Sequence, residues 1–296
     1  MRLQGCFTAL ITPFQEGFLD EERLRRLVRR QLAAGVSGIV PCGSTGEAAT
    51  LSSEEYRRVV SVCVEEAAGK ALVVAGVGTN ATAKAVEQAR AAASLGADAL
   101  LVLCPYYNKP TQGGLFLHFK AVASAVRVPI VVYNIPGRTG VNLLPATLAR
   151  LAKDCPNIRA VKEASGSLDQ VSEILTLCPP DFSVLSGDDS LTLPMMSVGA
   201  KGVVSVVSNL VPRETSRLCA AALRGDFATA RGLHLRMFPL IKALFIETNP
   251  IPVKAAAAAL RLCANELRLP LTPISPENRR RLSQAMSRSG FFKKKR

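Results

Sequence analysis

Apolar runs of strand length alternate with amphipathic stretches along most of the chain. Eight runs have the length and apolar content of buried strands: FTALITPF, GIVPCG, ALVVAGVG, ALLVLCP, PIVVYNIP, IRAVKEA, FSVLSGDD and GVVSVVSN. The stretches between them repeat apolar side chains at helical spacing, as Leu24, Leu27, Val28 and Leu32 do. Eight successive βα units close most simply into a barrel, whereas an open doubly wound sheet usually has fewer strands. We therefore predict an α/β fold, a (β/α)₈ TIM barrel.

The strand-like runs stop before residue 225, and the chain beyond that point has only helical patterns. Leu233, Met237, Leu240 and Leu244 follow a helical period, and the stretch from Val253 to Cys263 is rich in alanine. We predict a catalytic barrel domain over residues 1–225 and a helical appendix over residues 226–296 that ends in a basic tail. Such an appendix could cover part of the barrel wall or make a subunit contact.

The composition is that of a globular protein, with 48% hydrophobic and 20% charged residues. No apolar run approaches the ~18 residues that span a bilayer, and the N-terminus lacks the pattern of a cleaved signal. The eight cysteines contain no CxxC pair and lie far in sequence from the two histidines, which argues against a zinc site. We predict a cytoplasmic protein with no cofactor and no metal, whose cysteines are mostly core residues.

The net charge of +14 raises the question of a polyanionic partner. Much of this charge lies in the C-terminal tail and on the first predicted helix, at Arg25, Arg26, Arg29 and Arg30. A solvated helix face and a frayed tail account for it, and no interleaved aromatic pattern supports stacking on nucleic-acid bases. We predict no nucleic-acid or membrane partner. A basic nucleic-acid-binding protein on an inactive barrel is the alternative from another class.

One lysine stands at the end of an apolar run near the middle of the chain. Ile158 to Val161 precede Lys162 in the stretch IRAVKEASG. An ammonium group in apolar surroundings is destabilised by the loss of its hydration. Losing its proton removes this cost and makes the amine a nucleophile. A neutral amine can form a Schiff base with a ketone, and the iminium then draws electrons from the neighbouring carbon. The alternative is a lysine at a strand tip with its ammonium in water, as is usual for lysines.

Other candidate residues follow predicted strands at their carboxyl ends, where barrels build active sites. The segment GSTGE, from Gly43 to Glu47, has glycines that permit close backbone approach and N–H groups that can hold a carboxylate. PYYN follows the fourth run, and YNIPGRTG contains Tyr133 and Arg138. A tyrosine hydroxyl can pass a proton, and an arginine can hold a carboxylate with two hydrogen bonds. The alternatives are a plain glycine turn, core-rim packing of the tyrosines and a surface ion pair of Arg138.

Seven motifs together resemble the dihydrodipicolinate synthase family, with matching spacing from about Gly5 to Pro270: GSTGE, PYYN, YNIPGRTG, VKEASG, the GDD at Gly187, GVVSV and ETNPIPVK. The resemblance implies a lyase that condenses pyruvate with L-aspartate 4-semialdehyde. The product is 4-hydroxy-tetrahydrodipicolinate, on the route to diaminopimelate and lysine. Pyruvate, the semialdehyde and further copies of the chain, in a dimer or tetramer, are the implied partners.

The resemblance also implies residue roles. The implied catalytic residues are Lys162 as the Schiff-base lysine, Tyr133 as the general acid/base, and Ser44 and Tyr107 as its proton relay, with Tyr107 reaching in from a neighbouring subunit. The implied substrate-binding residues are Thr45, Arg138, Val204 and Gly187. The family usually has threonine at the position of Ser44. Serine keeps the hydroxyl but loses the methyl group that restrains its rotamer, so we expect a looser relay.

Two further expectations rest on this resemblance. N-acetylneuraminate lyase and the 2-keto-3-deoxy-sugar aldolases share the lysine, but Arg138 suits a second carboxylate better than a polyhydroxylated sugar, which favours the synthase. Many family members are inhibited by lysine, near positions that are here Ala49, Tyr56, Asn80, Lys84 and Tyr106. Because Lys84 would repel the ammonium of this effector, we expect weak inhibition or none.

Overall fold

The computed structural model describes residues 2–292. The basic residues from Lys293 to Arg296, part of the predicted tail, lie outside the described residues.

A closed barrel of eight parallel strands forms the centre of the protein. The strands are β1 (Gly5–Ala9), β2 (Gly38–Val40), β3 (Leu72–Val77), β4 (Ala99–Leu103), β5 (Ile130–Asn134), β6 (Ile158–Glu163), β7 (Ser183–Ser186) and β8 (Gly202–Ser205). Strand β1 pairs with both β8 and β2, which closes the barrel. The predicted (β/α)₈ TIM barrel is confirmed: seven of the eight predicted runs contain a barrel strand, and the first run overlaps one, which begins two residues earlier at Gly5.

Helices alternate with the strands and surround them. The barrel helices are α1 (Glu21–Ala33), α2 (Ser53–Ala67), α3 (Thr82–Ser94), α4 (Gln112–Ala125), α5 (Pro145–Asp154), α6 (Leu168–Leu177), α7 (Thr192–Ser197) and α8 (Pro212–Leu223). Three further helices follow: α9 (Phe227–Ala243), α10 (Ile251–Ala259) and α11 (Pro276–Ser289). Helix α9 packs on α8 and α11. The predicted boundary at residue 225 falls between α8 and α9 and stays a prediction.

The first predicted strand is shorter than its apolar run. Strand β1 ends at Ala9, and the chain then enters a two-stranded antiparallel hairpin of Phe14–Gln15 and Phe18–Leu19. Pro13 has no N–H to donate to a ladder, and the N–H of Ile11 instead donates to Asn209 Oδ1 at 3.1 Å. The end of the run therefore crosses the carboxyl end of the barrel.

Side chains alternate between two apolar cores. Inside the barrel, residues two apart on a strand face the axis, as Val131 and Tyr133 do on β5. A larger core fills the layer between strands and helices, where all eight cysteines are buried and unpaired. The alternation of side chains along each strand therefore determines which of them point to the axis at the barrel mouth.

No helix within residues 2–292 is long and apolar enough to cross a membrane.

The basic face of α1 is less solvated than predicted. Arg25 reaches Glu65 and Glu66 on α2, and Arg29 donates to Glu66 at 2.7 Å. Arg30 turns inward and donates to the backbone carbonyl of Asn209 at 2.7 Å. Several of these arginines therefore fasten α1 to its neighbours, and the positive charge in sequence overstates the free charge on this face.

Candidate active site

Lys162 and Tyr133 lie side by side inside the barrel. The register of β5 and β6 pairs the two residues directly. Lys162 stands two residues after Ala160, a barrel-interior residue, so its side chain also points to the axis. The lysine is only 5% exposed, and its Nζ lies 3.9 Å from the centroid of the Tyr133 ring. The strand pattern thus places an amine and a phenol together near the carboxyl end of the barrel.

The Lys162 amine has no fixed partner within the part of the chain that the structure describes, where it makes neither a hydrogen bond nor an ion pair. Gly187, just after β7, leaves room for this side chain. A Cβ at Gly187 would lie 3.2 Å from Lys162 Cε and 2.6 Å from Ala164 Cβ, closer than carbon atoms pack. Gly187 therefore belongs to the lysine pocket because any side chain there would displace the lysine or the loop after β6.

The GSTGE segment follows β2 and turns back over the barrel mouth. Thr45 is 2% exposed, and its Oγ1 accepts a hydrogen bond from Asn249 Nδ2 at 2.9 Å. The hydroxyl hydrogen of Thr45 remains able to donate to an anion. Ser44 is partly exposed beside it. The segment therefore presents two hydroxyl groups, one of them held in place by a residue more than two hundred positions away.

A buried ion pair fixes the end of the same segment. Lys254 Nζ donates to Glu47 Oε1 at 2.6 Å, and the two side chains are 0% and 1% exposed. The backbone N–H of Arg268 donates to Glu47 Oε2 at 3.1 Å. Burial lowers the pKa of Lys254, and the Glu47 carboxylate opposes that shift. Phe14 packs below, with Lys254 Nζ 4.4 Å and Arg268 Cζ 4.2 Å from its ring centroid.

Arg138 lies in a short helical turn, Pro136–Thr139, after β5. Its side chain is exposed, and one terminal nitrogen donates to the carbonyl oxygen of Asn249 at 2.9 Å. No carboxylate within residues 2–292 pairs with it, so the predicted alternative of a surface ion pair is absent from the described chain. Asn249 thus contacts both Thr45 and Arg138. Sequence analysis assigned no role to Asn249 or Lys254, although both lie in the ETNPIPVK motif.

The remaining predicted residues are placed less closely together. Val204 lies on β8 and packs in the barrel interior in the same cluster as Tyr133. Tyr107 has a positive φ of 73° and is 86% exposed. The hydroxyls of Ser44 and Tyr133 make no hydrogen bond within residues 2–292. A relay through Ser44, Tyr133 and Tyr107 is therefore not assembled by the described part of a single chain.

A separate cleft of about 370 Å³ lies between α2 and α3. Tyr56 and Lys84, two of the five residues predicted around a lysine effector, line it together with Glu87 and Arg57. The other three, Ala49, Asn80 and Tyr106, are not part of its lining.

Within residues 2–292, no group of three or more His, Cys, Asp or Glu side chains could hold a metal ion.

Known proteins match this chain over nearly its whole length. The model of the dihydrodipicolinate synthetase family matches residues 2–289. The 4-hydroxy-tetrahydrodipicolinate synthase of Nitratidesulfovibrio vulgaris is 52% identical over 99% of this chain and 100% of its own. The crystal structure of dihydrodipicolinate synthase from Aquifex aeolicus is 51% identical, with a TM-score of 0.95 over 96% of this chain and 97% of its own. The Acinetobacter baumannii enzyme, solved in complex with pyruvate, is 40% identical, with a TM-score of 0.96 over 98% of this chain and 100% of its own. The chain therefore belongs to the dihydrodipicolinate synthetase family.

Proposed function

We propose that this chain forms a Schiff base between Lys162 and pyruvate and condenses it with L-aspartate 4-semialdehyde to give 4-hydroxy-tetrahydrodipicolinate. The observation that carries the proposal is the Lys162 amine, which is buried, has no partner in the described chain and packs on the Tyr133 ring. Relatives at about half sequence identity are named as this synthase. The reaction is a step on the route to diaminopimelate and lysine.

The chemistry needs a nucleophilic amine and a group that moves protons. The neutral amine attacks the keto carbon of pyruvate, and the carbonyl oxygen takes up protons and leaves as water. The iminium then draws electrons from the pyruvate methyl group, which loses a proton and becomes the nucleophile that attacks the aldehyde carbon, whose oxygen takes up a proton to become a hydroxyl. The amino group of the semialdehyde then attacks the imine carbon, closes the ring and displaces the Lys162 amine. Tyr133 packs directly against the Lys162 amine, so its hydroxyl is the group proposed to deliver and remove these protons.

Both substrates bring a carboxylate that needs a positioned donor. The Thr45 hydroxyl, oriented by Asn249, and the backbone near Val204 are proposed to bind the carboxylate of pyruvate. Arg138 is proposed to bind the carboxylate of the semialdehyde, because its guanidinium keeps free N–H groups after donating to Asn249. Gly187 keeps the lysine pocket open between them. None of these steps calls on a cofactor.

The proton relay is proposed to form between copies of the chain. The side chain of Tyr107 is 86% exposed, which is unusual for a tyrosine unless another surface covers it. In a dimer or tetramer, Tyr107 of one copy would complete the relay of Ser44 and Tyr133 in the next. The eight buried, unpaired cysteines suit a reducing compartment such as the cytoplasm.

The proposal is tested by trapping the imine. The protein is incubated with pyruvate and borohydride, and the modified residue is mapped by mass spectrometry. We expect the label on Lys162, no label in Lys162→Ala, and an unchanged label in Lys70→Ala, whose lysine is exposed before β3. In a separate assay without borohydride, the wild type should consume pyruvate when L-aspartate 4-semialdehyde is added. A label on another lysine, or a wild type that prefers to cleave sugar acids, would replace this function with another.

A further inference from the structure

A buried polar network lies on the outer side of β5 and β6, behind the Lys162 and Tyr133 pair. We call it the outer clamp; its members are Asn134, Asn142, Glu163 and Gln170. The Asn134 amide donates to Asn142 Oδ1 at 2.7 Å and to Glu163 Oε2 at 3.0 Å. Gln170 Nε2 donates to Glu163 Oε2 at 3.1 Å. The outer clamp therefore joins the ends of two strands, the loop after β5 and helix α6.

Glu163 is an unusual residue for such a place. It is 2% exposed, and all its donors are neutral: Asn134, Gln170 and the backbone N–H of Ser165 at 2.6 Å. No lysine, arginine or histidine pairs with it within residues 2–292. A buried carboxylate without a cation costs free energy, which several hydrogen bonds only offset. An apolar side chain at position 163 would fill the same space without this cost in free energy. We therefore expect Glu163 to have a role beyond packing.

The register of the strands connects the outer clamp to the active site. Asn134 pairs with Glu163 immediately after Tyr133 pairs with Lys162. Because side chains alternate along a strand, the pair of Asn134 and Glu163 faces outward, and the pair of Tyr133 and Lys162 faces the barrel axis. The Asn134 carbonyl also accepts from the N–H of Ala164 at 2.9 Å, so side chain and backbone fasten the same point.

The clamp reaches two other parts of the site as well. The Glu163 carbonyl accepts from the N–H of Gly187 at 2.8 Å, which fixes the glycine that borders the lysine pocket. Asn134 Oδ1 accepts from the N–H of Leu143 at 3.0 Å, which fastens the loop that contains Arg138. The ends of β5 and β6 and the loops after β5 and β7 therefore meet at Asn134 and Glu163, through their side chains or their backbone carbonyls.

We propose that Asn134 and Glu163 are positioning residues, which set the placement of Lys162 relative to Tyr133 through the ends of β5 and β6. The inference rests on the proposed function. Imine formation requires the amine and the proton donor to meet the same substrate carbon and oxygen, and an error of about 1 Å can reduce the rate by roughly a hundredfold. Both side chains face away from the barrel axis, so they act through the two inward side chains.

The direct test is Glu163→Gln. The Leu143 N–H fixes the orientation of the Asn134 amide, and the Ser165 N–H needs the oxygen of the new Gln. The amide nitrogen of the new Gln would therefore face the Asn134 amide nitrogen, donor to donor. We expect the single-turnover rate of pyruvate trapping to fall about ten- to a hundredfold. The KM for pyruvate should change much less, because the Thr45 hydroxyl, which is proposed to donate to the pyruvate carboxylate, lies on another loop.

A matched control lies at the other end of β6. Asn157 precedes the strand, and its amide donates to the carbonyls of Ala123 at 2.9 Å and Val126 at 3.0 Å. Asn157→Ala removes two partly buried hydrogen bonds at the end of β6 opposite to Lys162. It should lower the thermal midpoint and leave the trapping rate unchanged. Equal rates in Glu163→Gln and the control would reduce the outer clamp to a structural role and overturn the inference.

A swap of the two groups provides the rescue. Asn134→Asp combined with Glu163→Gln keeps one carboxylate and one amide, and Asn142 and Gln170 can rotate their amides to match. We expect the double variant to regain most of the lost rate, and failure to do so at a restored thermal midpoint would count against positioning. If Glu163→Gln does not fold, Gln170→Leu removes one donor from the edge of the clamp and should give a smaller loss of rate with KM retained. A wild type that pyruvate never labels at Lys162 would instead contradict the proposed function.

Discussion

The buried pair of Lys254 and Glu47 makes a quantitative prediction about stability. Lys254→Met removes the ammonium and leaves the Glu47 carboxylate, which is 1% exposed, with the backbone N–H of Arg268 as its one remaining donor within residues 2–292. Breaking a buried ion pair from one side costs about 3 to 5 kcal/mol, because the remaining charge is desolvated without compensation. We expect a loss of unfolding free energy of that size.

Calorimetry can measure this loss. At about 2.1 cal/mol/K per residue, the 296 residues give an unfolding entropy of roughly 0.6 kcal/mol/K. The midpoint of Lys254→Met should therefore fall by about 5 to 8 °C. Glu47→Gln combined with Lys254→Met should recover most of the difference, because neutral replacements of a buried pair are often tolerated. Gln keeps an oxygen that can accept from Arg268.

The same variant should also affect pyruvate binding. Glu47 ends the segment that contains Ser44 and Thr45, so loosening it moves a proposed carboxylate donor. The KM for pyruvate should rise in Lys254→Met and recover in the double variant. A midpoint within about 2 °C of the wild type, corresponding to roughly 1 kcal/mol, would refute the reasoning, since it would mean that the buried carboxylate needs no partner.

Four further outcomes are expected. Gly187→Ala should slow pyruvate trapping at least about tenfold, because its methyl group would lie 3.2 Å from Lys162 Cε; an unchanged single-turnover rate would contradict this. Arg138→Ala should still trap pyruvate but lose roughly ten- to a hundredfold in condensation with the semialdehyde, about 1.5 to 3 kcal/mol for a charge-assisted pair, and normal condensation would argue for a sugar substrate. Burial raises the pKa of Asp189 from 3.8 to about 6, so its contribution to stability is present below about pH 4 and is lost as pH rises through about 6. In urea unfolding, the stability of Asp189→Asn relative to the wild type should therefore rise over that pH range, and a difference in unfolding free energy that stays constant with pH would disprove it. Millimolar lysine should leave the condensation rate nearly unchanged, while Lys84→Glu, in the cleft between α2 and α3, should confer inhibition through opposite charge; strong inhibition of the wild type would contradict the charge argument.

Much of the fold could be predicted from local patterns. Apolar runs mark strands that are buried on both faces, and their number selects a closed barrel. The same patterns place Lys162 and Tyr133 near each other, because both lie at carboxyl ends of adjacent strands and both face inward by alternation. What local periodicity determines is which side of a strand each residue occupies.

The contacts that hold the candidate site could not be predicted in this way. Asn249 meets Thr45 across 204 positions, and Lys254 meets Glu47 across 207. A lysine in an alanine-rich helix is ordinarily an exposed residue, and no spacing rule in the sequence connects it with one glutamate after β2. Glu163 was likewise hidden, because its donors come from the loop after β5 and from α6.

These long-range contacts change what the C-terminal region does. Asn249 orients the Thr45 hydroxyl and binds Arg138 through its carbonyl, and Lys254 neutralises Glu47. A chain cut at the predicted boundary would leave a buried carboxylate without its cation and both proposed carboxylate-binding residues without a fixed neighbour. We therefore expect the region that follows the barrel to be required for the barrel mouth to take its proposed substrate-binding form, even though the lysine and the tyrosine come from the barrel itself.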